Sequence, residues 1–344
     1  MARTTPPRPI DVAAVFPELG PLARQAVRLH PRPGRPTVHE SSVGGPLLWP
    51  VGEDWPACGD DHDHGDLPVS LDDVRRHRDL LEAAWLRPRS SREDLLTAEQ
   101  RERLDRFEEG HPPHDGPNPL LPVAQLYLRD VPGLPCPEGT DVLQVLWCPL
   151  DHEEEAMPTA HLVWRNSSDV HEVLGEPPAP LDVDHYGDYV PEPCVLHPEV
   201  VTEYPAPHEL PGELASRLHD WGRDLWAELH PEDEGHPGGA YYQYEHSVAP
   251  GWKAGGWGPW SFRDPWPMNC ETCGAEYRPL LTVSSGEWDG GSGSWIPLED
   301  RDHTGPVGIR RPPDPPMVQI GRGYNMQIYR CPTSFDHPHL ENMQ

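Results

Sequence analysis

The chain has 344 residues, and its 57 acidic against 27 basic side chains leave a net charge of −30. Such a surface repels phosphate backbones and argues against nucleic acid as a partner, while it suits a basic protein. Forty-seven prolines and 31 glycines make regular elements short, so the expected fold is α+β, a mainly antiparallel sheet core with peripheral helices.

In chain order, residues 1–37 read as a leader in which Pro21 opens a short helix running to about Leu29. A first unit, 38–152, is interrupted by a helical hairpin over 68–110. There Ser70 caps a helix whose Leu71, Val74, Leu81 and Trp85 recur at helical spacing, and Thr97 opens a second helix with Gln100 in the capping-box position. Strands are predicted at Leu120–Leu128, Val142–Cys148 and His161–Trp164. Residues 153–250 form an acidic, proline-rich linker with a strand at Val200–Tyr204. An amphipathic helix over 212–230 follows, marked by Leu214, Leu218, Trp221 and Leu225. A second unit, 251–344, holds strands at Leu280–Ser284 and Tyr324–Arg330.

The two units repeat a series of landmarks. Gly44-Gly45, Trp55-Pro56, Cys58, Pro119-Leu120-Leu121-Pro122-Val123, Leu143-Gln144-Val145-Leu146-Trp147-Cys148-Pro149 and Asp151-His152 mark the first. Gly255-Gly256, Trp266-Pro267, Cys270, Pro279-Leu280-Leu281-Thr282-Val283, Met326-Gln327-Ile328-Tyr329-Arg330-Cys331-Pro332 and Asp336-His337 mark the second. An internal duplication with one shared core is therefore expected.

No apolar run follows Arg3 and Arg8, and no stretch reaches membrane-spanning length. A cytoplasmic protein is expected, its seven cysteines reduced and better explained by metal than by disulfides. Lys253 is the only lysine, the mark of a GC-rich bacterial genome.

Cys270-x2-Cys273 followed by Gly274 is a knuckle from which two thiolates reach one tetrahedral ion. Cys331 and His337 complete a Cys3His set for structural zinc, with His339 as the alternative fourth ligand. The first unit offers a diverged set, Cys58, His62, Cys148 and His152, with His64 able to replace His62. No catalytic residue can be named, because phosphate loops, nucleophile elbows and zincin helices are absent. Trp252, Trp257, Trp260 and Trp266 read as core, or as a platform for a peptide or sugar.

Ser42-x-Gly44-Gly45-Pro46, Trp55-Pro56, Pro122-Val123-Ala124-Gln125-Leu126, the Leu143–Pro149 strand and Tyr329-Arg330-Cys331-Pro332 together resemble the YwqG-like family of bacterial proteins (DUF1963). The resemblance runs from about residue 38 to the end and departs at the helical insert, the acidic segment after His152 and the linker. It implies no established reaction. It does imply a protein-binding, immunity-type role, in which a zinc-stabilised, non-enzymatic module meets a basic partner. The alternative is a metal-dependent hydrolase in which Cys58, His62, Cys148 and His152 leave a coordination position for water beside Asp61 or Asp151.

Overall fold

The computed structural model describes residues 2–60, 62, 66–90, 93–152, 156–232, 238–260, 264–301 and 308–344. A one-turn helix, α1 (Val12–Val15), is capped by the Asp11 carboxylate, and a 3-10 turn spans Pro17–Leu22. The helix expected from Pro21 to Leu29 does not form. Pro21 lies inside the 3-10 turn, and β1 (Arg24–Arg28) follows, because this segment finds strand partners on both of its edges. Tertiary pairing overrides the weak local signal.

Then come β2 (Arg32–Pro33), β3 (Ser42–Val43), β4 (Ala57–Cys58) and the predicted hairpin, α2 (Leu71–Leu86) and α3 (Ala98–Phe107). Ser70 caps α2, and Thr97 and Gln100 form the full capping box of α3. β5 (Asn118–Pro119), β6 (Leu121–Tyr127), β7 (Val142–Trp147), β8 (Ala160–Arg165), β9 (Cys194–Val195) and β10 (Glu199–Glu203) precede α4 (Gly212–Leu229). β11 (Lys253–Gly255), β12 (Arg278–Ser284), β13 (Asn325–Arg330) and β14 (Leu340–Met343) complete the chain.

The fold is α+β, and its strands build two antiparallel six-stranded sheets, β2-β9-β3-β6-β7-β8 and β10-β1-β11-β12-β13-β14. Val43, Val123, Leu143, Val145 and Trp147 from the first share one buried cluster with Ala254, Leu280, Val283, Met326 and Ile328 from the second. Among the described residues no helix is long and apolar enough to cross a membrane.

The two sheets follow one plan. The chain crosses from the second sheet to the first between β1 and β2, and in the opposite direction between β9 and β10. Leu29-His30-Pro31 and Leu196-His197-Pro198 stand at these crossings, and the His197 backbone N–H donates to the Leu29 carbonyl at 2.9 Å. In each sheet the last four strands are a short strand ending at a Gly-Gly pair, a bulged hairpin and a further strand. Pro122 pairs with Leu146 and Pro279 with Tyr329, and a bulge follows both prolines. Structurally, Pro279 thus matches Pro122, three residues away from the match that the Leu-Leu strings suggest.

A glutamine clamp recurs in both hairpins. Gln144 Nε2 donates to the Leu48 carbonyl at 2.9 Å, and Gln327 Nε2 donates to the Pro259 carbonyl at 2.6 Å. Each carbonyl lies four residues beyond the first glycine of its pair. Gly44 and Gly255 both have positive φ, 63° and 68°, which turns the chain towards its glutamine at little cost only because neither carries a Cβ.

Candidate metal centres

Both cysteine and histidine sets come together. In the first, β4 carries Cys58 and is held by pairing with β5, while Cys148 follows β7 directly. The His152 N–H donates to the Met157 carbonyl at 3.3 Å. Cys58 Sγ lies 3.5 Å from His62 Nε2 and 3.4 Å from His152 Nε2, and Cys148 Sγ lies 3.2 Å from His62 Nε2. Leu47, Trp49, Leu120, Leu146 and Leu150 wall the site, with Trp55 packed against them.

In the second, the knuckle is a tight turn in which Gly274 N–H donates to the Cys270 carbonyl at 2.7 Å and Cys270 N–H to the Ala275 carbonyl at 2.8 Å. Cys331 follows β13. Its sulfur lies 3.5 Å from Cys273 Sγ and 3.3 Å from His337 Nδ1, and Cys270 Sγ lies 3.6 Å from the same nitrogen. All seven cysteines are free.

These distances match a tetrahedron. With bonds of about 2.3 Å to sulfur and about 2.0 Å to nitrogen, a zinc ion sets its sulfur–nitrogen edges near 3.5 Å and its sulfur–sulfur edges near 3.8 Å. In each set the four ligating atoms lie within 4.8 Å of one another. Each set can hold a metal ion with four protein ligands.

The electrostatics differ. Burial raises both first-site thiols, Cys148 strongly. At the second site burial works against the Cys331 thiolate, but the N–H groups of Thr333 and Ser334 and the His337 imidazole outweigh it and bring the thiol down to about 6. Sharing protons with Cys331 and Cys270 raises His337.

Of the alternatives, His339 turns away from the second set, its Nε2 lying 3.1 Å from Glu341 Oε1 and 3.2 Å from the Ala160 carbonyl. His64 and Asp61 lie outside the described residues. Asp151 is engaged elsewhere, accepting from the Tyr189 hydroxyl at 2.6 Å. Asp60 does reach the first set: its Oδ2 accepts from Cys58 Sγ at 3.7 Å and lies 4.0 Å from His152 Nε2.

The four tryptophans divide. Trp252 belongs to the shared core. Trp257, Trp260 and Trp266 line a cavity of about 440 Å³ with Tyr277 and Tyr329, and the Arg24 guanidinium already covers Trp257 at 3.3 Å.

The sequence reading missed one group, His111, His114 and Asp182, whose ligating atoms also lie within 4.8 Å of one another. The His-x2-His spacing was available as a signal, but its carboxylate stands 68 residues further on.

No family model matches the chain, and no curated protein matches it.

Proposed function

We propose that this protein is a non-enzymatic, zinc-stapled interaction module of the YwqG-like kind, cytoplasmic and bacterial, whose acidic surface receives a basic protein partner. The observation that carries the reading is the ligand count. Each cysteine and histidine set presents four side chains to one point, which is the closed arrangement of structural zinc rather than the three-ligand arrangement of a catalytic ion. Of the two acids named for a hydrolytic first site, Asp151 is held by Tyr189, and Asp61 lies outside the described residues. In this reading each zinc fastens the far end of a hairpin to the loop that follows a Trp-Pro pair.

The shared plan of the sheets supports an internal duplication in which each copy contributes its first strand to the other copy's sheet. β1 and β9 are then the exchanged strands, and Leu-His-Pro is the trace of the common crossing. The partner arm is tested by affinity capture from a bacterial lysate at low and moderate salt. One dominant basic protein, released as salt rises, is the expected result; none at either salt overturns the interaction reading.

A further inference from the structure

We propose that His111, His114 and Asp182 form a third divalent-cation site, separate from the two cysteine-containing sets and open to solvent. His114 Nδ1 lies 2.7 Å and His111 Nδ1 3.6 Å from the same oxygen, Asp182 Oδ1, and His111 Nδ1 also lies 3.0 Å from the Pro112 carbonyl, a contact that an ion at the site would replace. The two rings stand edge to face with centroids 4.9 Å apart. Both imidazoles therefore converge on one carboxylate oxygen, which can take a proton at hydrogen-bond length from only one of them.

The carboxylate is built in. Asp182 is 4% exposed. Its Oδ2 accepts the His114 backbone N–H at 2.9 Å, and its own carbonyl accepts from Asn118 Nδ2 at 2.8 Å. Asn118 Oδ1 returns the contact by accepting the Leu181 N–H at 2.7 Å. Asn118 thus pins the backbone at Asp182, and the His114 backbone N–H, which a side-chain substitution keeps, still holds the carboxylate. Asn118 begins β5, whose partner β4 carries Cys58, so the new site shares a support with the first cysteine-containing set.

The histidine side is exposed. The His114 side chain is 48% accessible and that of His111 28%, so an ion can enter without opening the fold. Two imidazoles and a carboxylate suit a borderline cation such as Zn²⁺, Co²⁺ or Ni²⁺ rather than Ca²⁺ or Mg²⁺. The 2.7 Å contact is a hydrogen bond, shorter than the separation of about 3 Å or more between two ligands of one ion at 2.0–2.2 Å. Ligation needs an unprotonated His114 Nδ1, so the neutral ring carries its one proton on Nε2 instead, and it moves outward by a few tenths of an ångström. With three protein ligands, the remaining positions go to water or to an acceptor group on a bound molecule.

The test is equilibrium dialysis of the full chain, without a histidine tag, against rising free Zn²⁺. Wild type is expected to take up one zinc ion beyond its content at low free metal. The His111→Gln/His114→Gln variant is expected to keep the low-metal content and to lose the additional ion, or to bind it at least tenfold more weakly. Equal uptake by both proteins, or no additional uptake by wild type, overturns the site. If the double variant melts differently from wild type without added metal, His114→Gln alone replaces it. The additional equivalent is counted above whatever the cysteine sets hold, so the two proposals fail separately.

Discussion

The two cysteine and histidine sets stand at equivalent places, each where a hairpin ends in Cys-Pro, yet the second is a compact knuckle and the first is spread over a strand, a loop and a turn. The second has three sulfurs, with backbone N–H groups aimed at Cys331; the first has two, both raised by burial. What the difference teaches is that the end of a Cys-Pro hairpin can gather four possible ligands in two ways. Both sets lie against apolar side chains, Trp260, Met268, Tyr277 and Tyr329 around Cys270 and Cys331, and Leu47, Trp49, Leu120, Leu146 and Leu150 around Cys148; only in the first does a helical hairpin follow the first cysteine.

The largest expected effect comes from breaking the second set. If zinc binding there is coupled to folding, as proposed, Cys331→Ser should remove one zinc and lower the melting temperature by roughly 10 °C or more. Thermal melting followed in parallel with metal content checks this. Cys148→Ser should also lose one zinc but melt less early; equal losses would remove the asymmetry between the halves.

Next is the fully buried Lys253–Glu203 ion pair of the second sheet. Lys253 Nζ, fully buried, donates to Glu203 Oε1 at 2.6 Å and to the Trp257 carbonyl at 2.7 Å. Glu203 also accepts from the Ala249 and Trp257 N–H groups. Ser42 occupies the matching position in β3. Glu203→Gln should cost about 3 kcal/mol or more in urea unfolding because it strands a buried ammonium, whereas Lys253→Met should cost less.

The glutamine clamps come third. Gln144→Ala should destabilise by about 2 kcal/mol, since Gln144 also donates to Gln125 Oε1 and accepts from Arg165 Nε. Gln327→Ala should cost about 1 kcal/mol, as only the Tyr329 hydroxyl shares its oxygen. A reversed order in denaturant unfolding would contradict the network drawn for the first hairpin.

The last effect lies away from both sets and shows only as pH falls. Burial first, then the nearby Arg8 charge, lowers His246 to about 4, and its ring packs against Trp221 and Tyr241. The unfolded chain binds the proton near pH 6.5 and the folded one only near 4, so this contribution is full above 6.5 and is lost as pH falls through that window. Its size is on the order of 2 kcal/mol, and His246→Phe should flatten the stability profile between pH 4 and 6.5.

Much of this was legible in the residues. Cys-x2-Cys, the Cys-Pro strand ends and the Ser70 and Thr97 caps encode geometry locally, so the hairpin and both ligand sets could be placed by spacing. The strands β1, β2, β9 and β11 could not. Each has five residues or fewer and takes its conformation from partners distant in sequence. The mistaken leader helix and the overlooked Leu-His-Pro pair share that cause. The three-residue slip between the hairpins arose because Leu-Leu strings carry no register, whereas the bulge and its proline do. His111 and His114 stayed hidden because Asp182 lies in a loop with no pattern of its own.

The most direct test is zinc content per chain, by elemental analysis of protein purified without a histidine tag and dialysed against metal-free buffer. Two firmly held zinc ions per chain is the predicted result. One or none would contradict the claim that both halves are stapled by metal.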